Sequence, residues 1–279
     1  MRGQVPTFAF MAYLAVPGLA LAQAPVSDPW EPLNRDLFAV HESIDNAVIE
    51  PFARGYRAAT PGPVRQGVRN FLRNLRGPVI FANDLLQAEF ARAGVTAARF
   101  GLNTTIGVAG VFDPAASAGL EYHHEDFGQT LAVWGVPAGP YLFVPIFGPS
   151  NVRDTAGRLV DLALDPLNYA NGEDADAARI ARGALTGLSV REHLLETVDD
   201  VRANSVDPYA SFRTSYGLLR ASAIENGRGG VQDLPDFEDI PETEDTSPGG
   251  GEAVSYAPSA PDEIGLTYFA LDYFEGEAQ

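Results

Sequence analysis

The sequence of 279 residues contains neither cysteine nor lysine. Without cysteine the chain has no disulfide bond, no thiol nucleophile, no thiolate metal site and no cysteine that could carry a lipid. Without lysine, all nineteen basic residues are arginines, whose planar guanidinium suits phosphate and carboxylate groups. A GC-rich genome that prefers arginine codons explains the same bias, and the abundance of alanine, glycine and valine favours this explanation.

Basic residues are also few relative to acidic ones, 19 against 37, which gives a formal net charge of −18. From Arg228 to the end, thirteen acidic residues accompany that single arginine, and the preceding body is itself acidic. Neutralising nucleic-acid phosphates needs a concentrated basic surface. The charge balance therefore argues against a nucleic-acid partner.

Motifs for catalysis and cofactor binding are missing as well. The sequence has no H-E-x-x-H, G-x-S-x-G, P-loop or Rossmann glycine pattern. His123 and His124 are adjacent, and adjacent side chains on an extended chain point to opposite sides, so we expect neither a shared metal nor a cofactor. We expect no enzymatic activity. The alternative is a phospholipase that uses His124 and Asp126.

A long apolar run lies near the amino terminus, where it follows Arg2 and ends in the small-residue pattern A-L-A at residues 20–22. This arrangement predicts a secretory signal cleaved after Ala22. A membrane anchor is the alternative, but Pro17 and Gly18 interrupt the run, which is shorter than a membrane-spanning helix. The predicted organisation is a signal over residues 1–22, a body over 23–227 and a tail over 228–279.

Apolar residues at helical spacing predict a mainly α-helical body. One amphipathic helix is predicted over residues 34–49 and ended by Pro51, a second covers residues 64–75, and a third has Pro78 in its first turn. Beside the apolar stripe of the second helix lies a row of arginines: Arg65, Arg69, Arg73 and Arg76. Such a row indicates either contact with lipid phosphates or a solvated helix over a core.

Residues 130–150 are as apolar as a core element but contain several prolines and glycines. Two short extended runs, residues 129–134 and 141–144, flank the turn sequence VPAGP and predict a small hairpin-like insertion. Ser150 or Asn151 then caps another helix. We expect that helix to bury four apolar residues: Val152, Leu159, Val160 and Leu164.

The tail from residue 228 is acidic, rich in proline and glycine and poor in aliphatic residues, which predicts disorder. Residues 264–274 differ, because apolar and aromatic side chains return there. We expect this segment to dock on a partner, and packing back onto the body is the alternative. The aromatic docking candidates are Tyr268, Phe269, Tyr273 and Phe274.

Five blocks of the sequence resemble, in order and spacing, the signature blocks of the VacJ/MlaA family. They are DPWEPLNRDLF, NFLRNLRGPVIFANDLLQ, RFGLNTTIGVAGVFDPA, EDFGQTLAVWGVPAGPYLFVPIFGPSNVRDTAGRLVD and DPLNY. The resemblance covers about residues 28–216. The resemblance implies a Gram-negative outer-membrane protein, shaped as a helical ring embedded in the periplasmic leaflet. It also implies a passive amphipathic channel through which mislocalised phospholipids leave the outer leaflet, so that lipid asymmetry is maintained.

Partners are implied by the same resemblance. They are phospholipid, a trimeric outer-membrane porin that holds the ring, and a soluble periplasmic carrier that delivers lipid to an MCE-type ABC transporter. The sequence departs from family members that are anchored through a cysteine after the signal, so we expect membrane residence to rest on apolar helices and porin contact. The alternative function is an outer-membrane or periplasmic scaffold through which no lipid passes.

The apolar stretch supplies the candidate site. We expect its aromatic residues to meet lipid, together with an arginine at the start of the following helix. These candidates are Trp134, Tyr141, Phe143, Phe147 and Arg153. For the aromatic residues the alternative is ordinary core packing, and Asn34 and Arg35 are expected to cap a helix.

Overall fold

The computed structural model of the protein describes residues 26–226. The predicted signal and the predicted acidic tail lie outside the described residues. The docking role of Tyr268, Phe269, Tyr273 and Phe274 therefore stays a prediction.

The described chain is mainly helical, which confirms the predicted fold class. Its helices up to the hairpin are α1 Glu31–Ile44, α2 Glu50–Ala59, α3 Gly62–Leu86, α4 Phe90–Thr105, α5 Pro114–Ser117 and α6 Phe127–Val133. A π-helical segment, Asp45–Ile49, joins α1 to α2. Strands β1 Tyr141–Val144 and β2 Gly148–Asn151 come next, followed by α7 Val152–Leu164, a 3₁₀ turn Pro166–Tyr169, α8 Glu173–His193, α9 Leu195–Asn204 and α10 Pro208–Ile224.

Several helices begin at an aspartate or asparagine whose side chain accepts a hydrogen bond from the first turn. Asn151 caps α7, as predicted, by accepting from the Asp154 N–H at 2.7 Å. Asp126 caps α6 in the same way by accepting from the Gln129 N–H at 2.8 Å. A cap of this kind contributes about 1 kcal/mol, so these helix starts are encoded locally.

Two helix ends predicted at prolines are wrong. The helical chain continues through Pro51, which lies in the first turn of α2, where a missing N–H leaves no hydrogen bond unmade. Pro78 lies inside α3 instead of starting a helix. An interior proline costs roughly 3 kcal/mol, and packing of α3 along α4 offsets it. The packing is so close that a Cβ added at Gly77 would lie 2.9 Å from Phe100.

The hairpin lies further along the chain than predicted. Strands β1 and β2 pair antiparallel, with Tyr141 opposite Asn151. Residues 129–134, predicted as the first strand, belong to α6 and its end, because Asp126 starts a helix there. The capping aspartate is thus a stronger local signal than the alternation of apolar residues that follows it.

Asn34 and Arg35 are not helix caps, because both lie inside α1. Asn34 is fully buried and bridges α1 to β1, where its Nδ2 donates to the Tyr141 carbonyl at 3.1 Å and its Oδ1 accepts from the Phe143 N–H at 2.9 Å. Arg35 pairs with Asp207 at 2.7 Å. The buried backbone of β1 needs hydrogen-bond partners, and Asn34 supplies both kinds.

Two small hydrophobic clusters join the carboxy-terminal helices to the hairpin and α1. One cluster contains Leu194, Val198, Val201 and Phe212. The other contains Tyr141, Phe143, Tyr209 and Tyr216. Phe38 of α1 packs against both clusters, and its ring centroid lies 5.3 Å from that of Phe143 in an edge-on contact.

Candidate functional site

Polar and charged side chains outnumber hydrophobic ones among the buried residues of the described chain. Asp84 and Glu125 are fully enclosed, whereas Phe52 and Phe90 are among many large hydrophobic residues that are exposed. Water-soluble domains place these residue types the other way round. Exposed apolar surface marks contact with a membrane or another protein where it forms a contiguous patch.

Helix α7 shows this reversal most clearly. Its Arg153, Asp154 and Gly157 are buried, whereas Val152 and Leu159 are 44% and 67% exposed. The prediction that α7 buries Val152 and Leu159 is therefore wrong. Helical periodicity separates an apolar from a polar face, but an apolar face can meet either a protein core or lipid.

Beneath α7, Arg220 of α10 holds two carboxylates together. Its guanidinium donates to the two oxygens of Asp126 at 2.6 and 2.8 Å and forms an ion pair with Asp154 at 2.7 Å. Asp154 also accepts from Asn151 Nδ2 at 2.9 Å and from the Tyr216 hydroxyl. Burial by itself would raise the pKa of Asp126, but Arg220 outweighs burial and holds that pKa well below its ordinary value. The interior thus retains ionised groups.

A polar cleft lies between α3 and α4. The side chains that line it include Asn70, Arg73, Asn74, Arg99, Asn103 and His123. Tyr122 also lines the cleft, and the guanidinium carbons of Arg73 and Arg99 lie 5.1 and 5.6 Å from its ring centroid. Arg99 donates to Asp113 at 2.6 Å. Cationic, amide and aromatic groups thus line one cleft, and Asp113 in its wall pairs with Arg99.

The arginine row of α3 meets other helices. Arg65 donates to Glu192 of α8 at 2.7 Å, and Arg69 lies 3.5 Å from the same carboxylate. Arg57 of α2 also donates to Glu192 at 2.8 Å, so three cations surround one buried anion. Neither interpretation drawn from the sequence, lipid contact or a solvated face, describes Arg65 and Arg69. Their ion pairs hold α8 against α2 and α3.

An exposed apolar loop, residues 106–112, follows α4. Val108 and Phe112 are exposed, and the loop is held from below by Asn74, whose Nδ2 donates to the Ala109 carbonyl at 3.2 Å. Val108 and Ala109 have φ values of 53° and 57°, in the left-handed region that such residues rarely adopt. Strain of this kind persists only where the surroundings enforce it. The loop therefore presents its apolar side chains in a fixed arrangement.

The four aromatic residues predicted to meet lipid form two pairs. Tyr141 and Phe143 are 0% and 2% exposed and lie in a hydrophobic cluster, so core packing, the alternative reading of the sequence, describes them. They share one face of β1 because side chains two residues apart point the same way. Trp134 and Phe147 are 53% and 57% exposed. Contact of Trp134 and Phe147 with lipid stays a prediction.

Arg153, the fifth candidate, belongs to the buried network. Its Nε donates to Asp154 at 3.0 Å, and its Nη1 donates to the Val136 carbonyl at 3.4 Å. Arg153 thus lies on the buried face of α7, where its charge is paired with Asp154. A role for Arg153 in lipid binding stays a prediction.

The adjacent histidines do not form a joint site. His123 lies 3.0 Å from Asp84, and the carboxylate of Asp126, the proposed partner of His124 in a phospholipase, is occupied by Arg220. Among the described residues, no group of three or more histidine, aspartate and glutamate side chains could hold a metal ion.

Sequence reasoning missed the polar groups that α7 and α10 bring together, above all Arg158 and Arg220. A signal was present, because these residues lie opposite or beside apolar stripes at helical spacing. Assigning the polar face of each helix to the interior would have predicted these buried arginines. The sequence alone gives no reason to choose that orientation.

These features define a class of protein: a mainly helical body with a charged interior, a small hydrophobic core and apolar residues on its outside. None of the helices in residues 26–226 combines the length and apolar character needed to cross a membrane. A model of the protein family described as MlaA lipoprotein matches residues 26–223. The chain belongs to this family, which confirms the resemblance drawn from its sequence blocks.

Curated relatives agree with this assignment. The Escherichia coli K12 protein named intermembrane phospholipid transport system lipoprotein MlaA is 32% identical over 205 residues, which cover 72% of this chain and 79% of that protein. The protein of the same name from Haemophilus influenzae is 32% identical over 218 residues, covering 75% and 85%. An uncharacterised protein of Rickettsia typhi is 35% identical over 201 residues, covering 72% and 79%.

A solved structure shares the fold. It is described as "Structural basis for maintenance of bacterial outer membrane lipid asymmetry", and its chain aligns with a TM-score of 0.62 at 32% identity. The alignment covers 71% of this chain and 98% of that chain. The helical architecture described above is therefore that of the family.

Proposed function

We propose that this protein takes part in intermembrane phospholipid transport, removing mislocalised phospholipids from the outer leaflet of the outer membrane and so maintaining its lipid asymmetry. The observation that carries the proposal is the reversed arrangement of polar and apolar residues, with ionised groups inside and large hydrophobic side chains outside. The names of the relatives from Escherichia coli and Haemophilus influenzae support the same role.

The energetics of lipid transfer explain why such an arrangement is needed. A phospholipid with two chains exposes on the order of 30 methylenes, and at about 0.8 kcal/mol each their exposure to water costs roughly 25 kcal/mol. A protein that moves lipid has to give the chains an apolar path and the head group a polar one. The protein then acts as a passive amphipathic channel, and a partner supplies the work.

The two paths are assigned to different parts of the body. The exposed loop at residues 106–112, together with Trp134 and Phe147, contacts acyl chains. The cleft between α3 and α4, lined by Arg73 and Arg99, accepts head groups. We further propose that the body forms a ring in the periplasmic leaflet of the outer membrane.

Its proposed partners follow from the family. A porin trimer holds the ring, and a soluble periplasmic carrier receives the lipid and passes it to an MCE-type ABC transporter. The aromatic segment at residues 264–274 docks on the carrier, with Tyr268, Phe269, Tyr273 and Phe274 as its contacts. If this segment docks on the carrier, truncation after Gly227 weakens carrier binding. Unchanged binding would contradict the docking role.

Native mass spectrometry of the full chain, extracted in detergent, separates the candidate functions. We expect phospholipid to co-purify and to be replaced by labelled phospholipid when the protein is incubated with vesicles. A persistent porin complex that is free of lipid would contradict the proposal and favour the scaffold. Lysophospholipid produced by the pure protein would instead favour a phospholipase.

A further inference from the structure

Arg158 of α7 differs from the other interior arginines because it has no partner. It is half-buried on α7, and within the described part of the chain it makes no hydrogen bond or ion pair. Arg153 and Arg220, by contrast, are both bonded to carboxylates. A cation withdrawn from water is normally paired. Arg158 therefore requires a separate explanation.

The carboxylates near Arg158 are already occupied. The groups whose charges act on it are Asp126, Asp154, Arg220 and Tyr216. Asp126 is held by Arg220, while Asp154 is held by Arg220, Arg153, Asn151 and Tyr216. Asp126 and Asp154 thus already have partners, and Arg158 has no carboxylate of its own.

Burial changes the pKa of the Arg158 guanidinium. Loss of water around Arg158 lowers its pKa below the ordinary value for arginine, and Asp126 and Asp154 only partly oppose the effect. The guanidinium nevertheless remains protonated at neutral pH. An anion that binds here would pair with a guanidinium that has no carboxylate of its own.

The surroundings of Arg158 distinguish a lipid from a small anion. Leu162 lies one helical turn further along the same side of α7, and Leu159 is the next residue. Both leucines are exposed, at 59% and 67%. The guanidinium therefore lies at the border between the polar network and an exposed apolar stripe. A ligand that fits this border has a phosphate at one end and hydrocarbon at the other.

We propose that Arg158 binds the phosphodiester of a phospholipid whose acyl chains lie along Leu159 and Leu162. The inference rests on the proposed transport function and specifies a head-group contact within it. Because Arg158 has no carboxylate partner, phospholipids with a net negative charge, such as phosphatidylglycerol, bind in preference to zwitterionic ones.

The test compares the wild-type full chain with Arg158→Gln and Arg158→Lys. Each protein is equilibrated with vesicles of phosphatidylglycerol and phosphatidylcholine in equal amounts, extracted in detergent, and analysed for bound lipid by native mass spectrometry. We expect Arg158→Gln to lower the ratio of bound phosphatidylglycerol to phosphatidylcholine by roughly tenfold, the effect of losing a hydrogen-bonded charge. Arg158→Lys, which keeps the charge, should retain most of the preference.

Arg54→Gln is the matched control, because it removes the same charge from an exposed pair with Glu50 and Asp199. It should leave the ratio unchanged. Thermal unfolding checks folding, and Arg158→Gln should be at least as stable as the wild type since it removes an unpaired half-buried charge.

Three results would overturn the inference. Equal ratios of bound phosphatidylglycerol to phosphatidylcholine in the wild type and Arg158→Gln would contradict the head-group contact but not the transport proposal. Absence of any bound phospholipid in the wild type would reject both. Stabilisation of the wild type, but not of Arg158→Gln, by inorganic phosphate, with unchanged lipid binding, would identify a site for free phosphate instead.

Discussion

Among single residues, Glu125 shows how burial disfavours the ionised form of an interior carboxyl group. It is 1% exposed, accepts from Gln87 Nε2 at 2.9 Å, and accepts from Arg92 Nη2 at 2.7 Å. Burial raises the pKa of Glu125 to about 7, although Gln87 and Arg92 favour the ionised form. The folded protein therefore holds a proton on Glu125 in a pH range where the unfolded chain has lost it.

This proton predicts the pH dependence of stability. Between about pH 4.5 and pH 7 Glu125 is more protonated in the folded state than in the unfolded state, so its contribution to the free energy of unfolding falls as pH rises. Glu125→Gln keeps an uncharged group there, and we expect it to reduce this fall by roughly 3 kcal/mol. Denaturant unfolding in detergent at a series of pH values measures the slope. Equal slopes in both proteins would contradict the raised pKa.

In Glu125→Gln the free energy of unfolding should still fall as pH rises, but by a smaller amount, because Asp161 remains. Burial raises the pKa of Asp161 to about 6, with Asp126 adding to the effect. Its oxygen accepts from Asn83 Nδ2 at 2.9 Å and from the Phe127 N–H at 3.1 Å. Glu125 and Asp161 thus each lower the free energy of unfolding as pH rises from mildly acidic to neutral.

At the scale of elements, α6 and α7 meet at two glycines. A Cβ added at Gly157 would lie 2.4 Å from the backbone nitrogen of Gly128 and 2.7 Å from its Cα. Distances this short leave no room for any side chain, and the obstacle is backbone that cannot rotate away. The contact brings Asp126 at the start of α6 beside Asp154 on α7, where Arg220 joins them.

Gly157→Ala tests this contact. We expect it to lower the free energy of unfolding by about 1–3 kcal/mol or more, because the helices must move apart. Gly183→Ala is the matched control, since Gly183 lies inside α8 with open space where a Cβ would be added. It should be neutral or stabilise by up to about 1 kcal/mol. A similar small effect for both substitutions in thermal unfolding would show that α6 and α7 are not packed as described.

The same elements show how far local sequence reasoning reaches. The cap at Asn151 and the mainly helical body follow from residue preferences and periodicity, and both are confirmed. The ends predicted at Pro51 and Pro78 fail because position in a first turn, or packing against a neighbour, offsets the missing N–H. The buried face of α7 could not be predicted, because apolar periodicity does not state whether protein or lipid covers it.

Across the whole molecule, ion pairs between helices stabilise the fold together with the small hydrophobic clusters. Glu192 forms ion pairs with three arginines from two helices, Arg57, Arg65 and Arg69. Asp45, in the π-helical segment, accepts from Arg191 and Arg202 at 2.9 and 2.7 Å. These contacts join parts of the chain that are far apart in sequence, which is why periodicity within single helices could not reveal them.

The resemblance of the sequence blocks supplied the family and the fold class, and both are confirmed by the family match and the shared structure. It did not supply the site. Of the four aromatic candidates, Tyr141 and Phe143 are core residues, and only Trp134 and Phe147 are exposed. A hydrophobic residue in an irregular segment has the same composition whether it packs inward or meets lipid, so burial had to come from the structure.

In the function we propose, phospholipid leaves the outer leaflet through this protein. The most direct measurement is the amount of phospholipid that an added phospholipase can reach on intact cells of the host bacterium, with and without the gene for this chain. We predict that deletion raises this amount and that the full chain, wild type or with the control substitution Arg54→Gln, restores it. An unchanged amount after deletion, with outer-membrane integrity equal in both strains, would contradict the account.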